Sequence, residues 1–268
     1  MNESTLMTIK EFSQFTRVQQ STLRYYDEIG LLPPASRGRN NYRYYSSVQI
    51  IKLNYITVMV NLGVPLSVIK EMDIHRTPEG ILRLLSRQEF ILDKQLYKLR
   101  AAYSVIHTYI DNIQHGLLAK DGVIRVEELD EANYVLGGVN DFRGKDSFYE
   151  SFIRFCNEAE EYRIDLNYPV GGYHEDMNTF LKAPGNPDRF FSQDPLGNKI
   201  RPKGNYLVGY KQDYYGNFGD IPERMRLYSE EYKLTFKGPV LTLYLLDEIS
   251  ITEHDQYLSC IMAGIDNG

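Results

Sequence analysis

Leu85, Leu92, Leu99, Ile106 and Ile113 recur every seven residues, and Leu96, Tyr103, Ile110 and Leu117 form a second series four residues after the first. An a/d seam sustained over about four heptads predicts one long helix whose apolar stripe another helix must cover. The simplest cover is a second copy of the chain, which makes Leu92, Leu96, Leu99, Tyr103, Ile106, Ile110, Ile113 and Leu117 the predicted dimerisation residues of a homodimer. Periodicity alone leaves the strand direction open. The seam divides the chain into residues 1–76, a helix over 77–120 and residues 121–268, an α+β organisation in which each flank can hold its own core.

The amino-terminal flank reads as short helices around a basic loop. Thr8 is an N-cap with Glu11 at the capping-box spacing, and Ile9, Phe12 and Phe15 share one face of the adjoining helix. After a turn over 16–20, a second helix of about Gln19–Ile29 ends at Gly30, and Pro33 and Pro34 forbid its continuation. Arg37–Tyr45 mixes cations, Gly38, two asparagines and aromatics, which predicts a short hairpin or wing. Two further helices, about Ser47–Leu62 and Pro65–Met72, complete the unit. Arginines and tyrosines on such a helix and wing suit the phosphates of duplex DNA. The predicted DNA contacts are Arg17, Gln19, Ser21, Thr22, Arg24, Tyr25 and Tyr26 at the second helix, Arg37, Arg39, Arg43 and Tyr44 on the wing, and Lys52.

Charge supports this division. Up to Lys120 there are 15 Lys+Arg against 10 Asp+Glu, and beyond it 15 against 26, so the halves carry +5 and −11. Cys156 and Cys260 stand alone, with no metal-binding spacing, so neither a disulfide framework nor a metal or cofactor is expected. No apolar run approaches the roughly 18 to 20 residues that span a bilayer, and a cytoplasmic protein is expected.

Beyond Gly122 the pattern alternates. Val123–Leu129 and Tyr134–Val139 read as strands, 147–162 as a helix and Tyr168–Lys182 as strand-like; after a Pro/Gly loop over 183–204, strand, helix, strand, strand return at Tyr206–Tyr210, Ile221–Leu234, Val240–Leu246 and Tyr257–Ile265. Two βαββ halves are implied. This half holds 13 of the 22 tyrosines and 9 of the 12 phenylalanines, more aromatic surface than a core requires and suited to stacking flat molecules or cations. Glu127/Glu128 and Asp247/Glu248 are adjacent carboxylates, which on a strand point to opposite faces and do not converge as an acid/base pair. With no nucleophile elbow, metal box or phosphate loop, no enzymatic activity is expected.

The string Leu23–Leu31 (L-R-Y-Y-D-E-I-G-L) with Tyr42–Tyr45 (Y-R-Y-Y) after it resembles the winged helix-turn-helix signature of the MerR family of transcription regulators. The order of the later elements, with the ending L-T-L-Y-L-L-D-E…Y-L-S-C-I-M-A-G-I, resembles the gyrase-inhibitor-like effector domain of multidrug-sensing members. The resemblance implies an antiparallel coiled coil and a promoter site bent and untwisted so that RNA polymerase holoenzyme can use it. The implied ligand is a lipophilic aromatic or cationic compound. A repressor with another signal, or a hydrolytic effector domain, are the alternatives. By the same resemblance the ligand pocket takes Tyr149, Tyr173, Glu175, Thr242, Tyr244 and Tyr257. The family carries a glutamate where this chain has Thr242, so Glu150, Glu175 or Asp176 becomes the candidate source of negative charge.

Overall fold

The structure, a computed structural model, describes residues 5–74, 76–140, 142 and 148–267. The chain divides between Lys98 and Leu99 into two compact units. In the first, β1 (Leu6–Thr8) leads into α1 (Ile9–Thr16) and α2 (Gln20–Glu28), then the wing strands β2 (Ser36–Arg37) and β3 (Arg43–Ser46), then α3 (Gln49–Asn61) and α4 (Leu66–Ile74). The capping box forms: Glu11 N–H donates to Thr8 Oγ1 at 3.3 Å and Thr8 N–H to Glu11 Oε2 at 2.8 Å. It starts α1 at the residue where β1 stops pairing with β3. Gly30, at φ +69°, takes the left-handed conformation after α2 and sends Leu31 and Leu32 into the core. There Phe12 stacks on Tyr45 at 4.8 Å, and Leu23, Ile56 and Ile69 pack around them. Ile81, Leu84 and Leu85, early in α5 (Pro78–Leu118), pack against the same core.

The second unit is built on eight antiparallel strands. These are β4 (Ile124–Leu129), β5 (Ala132–Val139), β6 (Val170–His174), β7 (Arg189–Ser192), β8 (Lys199–Arg201), β9 (Gly204–Gln212), β10 (Leu234–Leu246) and β11 (Leu258–Asn267). Their order is β4-β9-β11-β10-β6-β7-β5-β8. With α6 (Phe148–Glu158), α7 (Met177–Lys182) and α8 (Ile221–Glu231), two βαββ halves emerge as β5-α6-β6-β7 and β9-α8-β10-β11. In the sheet they lie as mirror images that meet where β10 pairs with β6. Two expectations need correction. The strand-like reading of 168–182 holds only for β6, because Asp176 caps α7 by accepting from Thr179 N–H at 2.8 Å. The stretch over 183–204 is more than a loop, since it contributes the short strands β7 and β8.

One sheet face carries Leu241, Leu243, Leu245, Phe191, Val208 and Tyr210, and α5 reaches it through small and polar residues. Thr108, Asn112 and Gly116 are the buried positions of α5. A Cβ at Gly116 would lie 2.7 Å from Leu246 Cγ, while Asn112 Nδ2 donates to Gln193 Oε1 at 2.9 Å. The seam residues Leu92, Leu96, Leu99, Tyr103, Ile106, Ile110 and Leu117 stay exposed, and Ile113 is half-buried. The other sheet face is covered in two patches. Phe180, Phe218, Ile221 and Met225 pack on Val240 and Ile261, and Phe155, Ala159 and Ile164 pack on Phe190.

Close approach at the β6–β10 seam requires glycine. A Cβ on Gly171 would sit 2.4 Å from the Thr242 carbonyl oxygen and 2.5 Å from Phe191 Cζ. Gly171→Ala should therefore destabilise the second unit by roughly 1 to 3 kcal/mol, read as a lowered melting temperature.

His174, also on β6, is 1% exposed with its ring edge-on to Phe180 at 4.9 Å, and neither nitrogen has a hydrogen-bond partner among the described residues. Burial lowers its pKa from 6.5 to about 4, against the opposing pull of the Asp188 carboxylate and of the Pro184 carbonyl, which is near but outside hydrogen-bonding geometry. The unfolded chain thus binds the proton more tightly. Stability should fall as pH drops from about 6.5 to about 4, by up to roughly 3 kcal/mol from this group. Urea unfolding at pH 7 and pH 4.5 checks it, and His174→Phe should remove most of the difference.

Candidate functional site

In the first unit, α2 and the wing present the polar surface. Gln19 caps α2 without a side-chain bond, so the amino-terminal N–H groups of the helix stay open to a phosphate or base. Arg17, Gln19, Ser21, Arg24, Tyr25, Arg37 and Arg39 are exposed, and Thr22, Arg43 and Tyr44 are half-buried. Tyr26 departs from the expectation. It is buried in the first core, because one turn after Leu23 it falls on the inner face of α2 while Tyr25 faces outward. Lys52 is held by Asp73 at 2.6 Å, an ion pair joining α3 to α4. Among the described residues, Arg17, Arg24 and Arg39 have no ion-pair partner.

Asp27 ties the wing to the helix. Arg43 Nε and an Arg37 guanidinium nitrogen each donate to Asp27 Oδ2 at 2.6 Å, and the Asp27 side chain is only 6% exposed. Burial works to raise the Asp27 pKa, but the hydrogen bonds from Arg43 and Arg37 outweigh it and hold the carboxyl below its ordinary range. Asp27 was not foreseen in this role, since its partners stand 10 and 16 residues away. The acid among basic side chains was the available signal.

In the second unit a cavity of about 400 Å³ opens between the two helix-covered patches, at the β10–β6 junction. That volume suits a small organic molecule. Its walls include Phe152, Tyr168, Phe190, Tyr215, Phe218 and Tyr244, with Thr242 among them and Tyr109 reaching in from α5. Thr242 Oγ1 donates to the Gly172 carbonyl at 3.3 Å, and the Tyr244 hydroxyl accepts from Gly216 N–H at 2.6 Å. Tyr257 stands behind the wall, its ring 4.9 Å from that of Tyr215.

Of the pocket residues implied by resemblance, Thr242 and Tyr244 line the cavity. Tyr173 and Glu175 are not among its lining residues: period two turns Gly172 toward the cavity and Tyr173 away, where its hydroxyl meets Glu175 at 3.3 Å. Asp176 serves as the cap of α7. The side chain of Tyr149 lies outside the described residues. Among the described residues, the lining carboxylates are instead Asp247 and Glu248. Opposite orientation was expected of this pair, but β10 ends at Leu246, so strand alternation no longer separates them. Asp247 is buried, and burial raises its pKa while the Ile249 N–H partly offsets that; Glu248 is exposed and accepts from the Tyr215 hydroxyl.

A cationic helix-and-wing surface and an aromatic chamber carried by one polypeptide define a DNA-binding regulator with a built-in small-molecule compartment. Residues 8–45 match the model of the MerR family regulatory protein. Among curated relatives, the multidrug-efflux transporter 2 regulator of Bacillus subtilis (strain 168) is 28% identical over 260 residues, which cover 95% of this chain and 94% of that protein. The HTH-type transcriptional activator mta of the same organism is 29% identical over 114 residues, 42% of this chain and 41% of that protein. Among solved structures, the EcmrR–DNA complex in EcmrR-RPo is 17% identical with a TM-score of 0.40, covering 98% of this chain and 100% of that one.

Proposed function

We propose that this protein is a homodimeric, cytoplasmic transcription activator that responds to lipophilic small molecules. In this reading residues 1–76 dock on promoter DNA, 77–120 pair two copies, and 121–268 hold the ligand. The observation that carries it is the aromatic cavity of about 400 Å³ in the same chain as the exposed basic helix and wing. The relative that matches along nearly the full chain is named as a regulator of a multidrug-efflux transporter, which supports a drug-like ligand. Two heads joined by paired helices grip one promoter at two points and hold it bent and untwisted, a deformation costing roughly 1 to 10 kcal/mol that extra contacts repay. RNA polymerase holoenzyme is then the partner on that DNA.

An enzymatic role has less support. Cys156 lines the cavity, but burial pushes its thiol pKa up, which keeps it protonated and a poor nucleophile at neutral pH. No histidine is among the described lining residues to act as its base.

Footprinting with run-off transcription tests the proposal. The expected result is protection of a two-fold site and ligand-dependent transcript from a promoter with an over-long spacer. Blocked polymerase on a promoter of ordinary spacing would make the protein a repressor, and ligand turnover would make it a hydrolase.

A further inference from the structure

We infer that the small cavity on the α5 side of the sheet is a second binding site, and that its guest is a short-chain aliphatic carboxylate held by Arg201 of β8. The two cavities lie on opposite faces of β10: Thr242 and Tyr244 line the aromatic one, and Leu241, Leu243 and Leu245 line the other. The second site thus needs nothing from the first.

This cavity encloses about 110 Å³, the room of roughly three or four waters and well below that of a drug-sized pocket. Its lining is of two kinds. Leu243, Leu245 and Met262 form an apolar floor that offers water no hydrogen bonds, whereas Asn112 and His115 of α5, with Asn133, Gln193 and Arg201, supply polar groups.

One of those polar groups is left unmet. Asn112 Nδ2 donates to Gln193 Oε1 at 2.9 Å, Asn133 Nδ2 to the Pro195 carbonyl at 2.9 Å, and His115 Nε2 meets the Tyr210 hydroxyl at 2.7 Å. Arg201 Nη2 donates to the Asp130 carbonyl at 2.8 Å, but Arg201 Nη1 is buried with no hydrogen-bond partner among the described residues. Leaving a buried charged donor unpaired is costly, and an acceptor brought in by a guest removes that cost.

The charge of Arg201 is also unbalanced. It is the one charged side chain among the described lining residues, and it has no ion-pair partner among the described residues. The Asp130 carboxylate is paired with Lys203 at 2.9 Å and that of Glu127 with Arg125 at 2.8 Å. Burial pushes the Cys260 thiol up, so this lining residue stays neutral, and burial lowers the His115 pKa against the pull of Glu127. A guanidinium fork matches a carboxylate in shape, and an aliphatic tail matches the leucine floor. With Asn112 and His115 on α5, such a guest would touch helix and sheet together.

Calorimetric titration of the full-length protein with butyrate, butyramide and inorganic phosphate tests this. Butyrate should bind about tenfold or more tightly than butyramide, the difference a charge-assisted hydrogen bond makes, and more tightly than phosphate, which leaves the floor unfilled. Arg201→Gln should erase the preference for butyrate over butyramide, and Arg201→Lys should keep part of it. Arg201 also bonds the Asp130 carbonyl, so Ala132→Leu tests the site with the guanidinium in place. Ala132 lines the cavity and pairs with Arg201 across β5 and β8; leucine there should fill the space and weaken butyrate about tenfold or more. Equal binding of butyrate and butyramide by the unmodified protein, or butyrate affinity left unchanged by either folded variant, Arg201→Gln or Ala132→Leu, would overturn the site. So would no binding at all, which leaves a cavity for water alone. Phosphate binding as tight as that of butyrate would overturn the aliphatic class.

Discussion

Replacing Asp27 with alanine should lower affinity for promoter DNA roughly tenfold or more, although Asp27 carries the same sign of charge as the phosphates. A simple count of charges predicts the reverse, since removing an acid from a basic surface makes it more basic. The structure decides between them. Arg37 and Arg43 both bond to Asp27 Oδ2 at 2.6 Å, so the carboxylate fixes the angle between wing and α2. Without it the wing loses its tether, and two arginines lose the geometry in which they were presented. The effect on folding should be smaller, about 1 to 2 kcal/mol, because the Arg37 side chain is 39% exposed and water compensates part of the loss. Fluorescence anisotropy with operator DNA, paired with urea unfolding, separates the two effects. The depressed pKa of Asp27 means that the tether is complete at neutral pH and fails only as pH falls through that lowered value, below 3.8. Unchanged DNA affinity would show that the wing docks without its tether.

Ile106→Asp should abolish the dimer. Ile106 is 57% exposed in the single chain, so an aspartate there costs the monomer fold little. In a paired seam the same carboxylate would be buried without a partner, a penalty of several kcal/mol in each copy. Sedimentation equilibrium should therefore give monomers with unaltered helix content, and cooperative binding to a two-fold DNA site should be lost. A mutant that stays dimeric would place the interface elsewhere. The inward face of α5 strengthens this expectation: Thr108, Asn112 and Gly116 face the sheet, which leaves the larger apolar side chains without cover.

What could be read from the residues was local or periodic. The capping box at Thr8 and Glu11, the stop at Gly30, the outward seam and the two βαββ halves each depend on spacing within a few residues or on a repeat. What could not be read depended on distant pairings. Tyr25 and Tyr26 are neighbours with opposite fates because helix phase is settled by what Leu23 packs against. Period two along β10 would put Leu246 on the same strand face as Thr242 and Tyr244, but a register irregularity between Tyr244 and Leu246 turns it toward Gly116. That irregularity and the end of β10 leave Asp247 and Glu248 together at the cavity. Their adjacency was visible in the sequence; their convergence was a property of where the strand stops.

The unbroken run of α5 from Pro78 to Leu118 gives the chain a screw thread as well as a spacer. Each added residue advances such a helix by about 1.5 Å and rotates every later residue by about 100°. Length and rotation are locked together, so the stretch between Leu85 and Leu99 cannot drift by one residue without turning the seam out of phase with itself. Only steps near seven residues keep the thread in register, at about 10 Å per step. Insertions or deletions tolerated in this segment should thus come in steps of about seven residues.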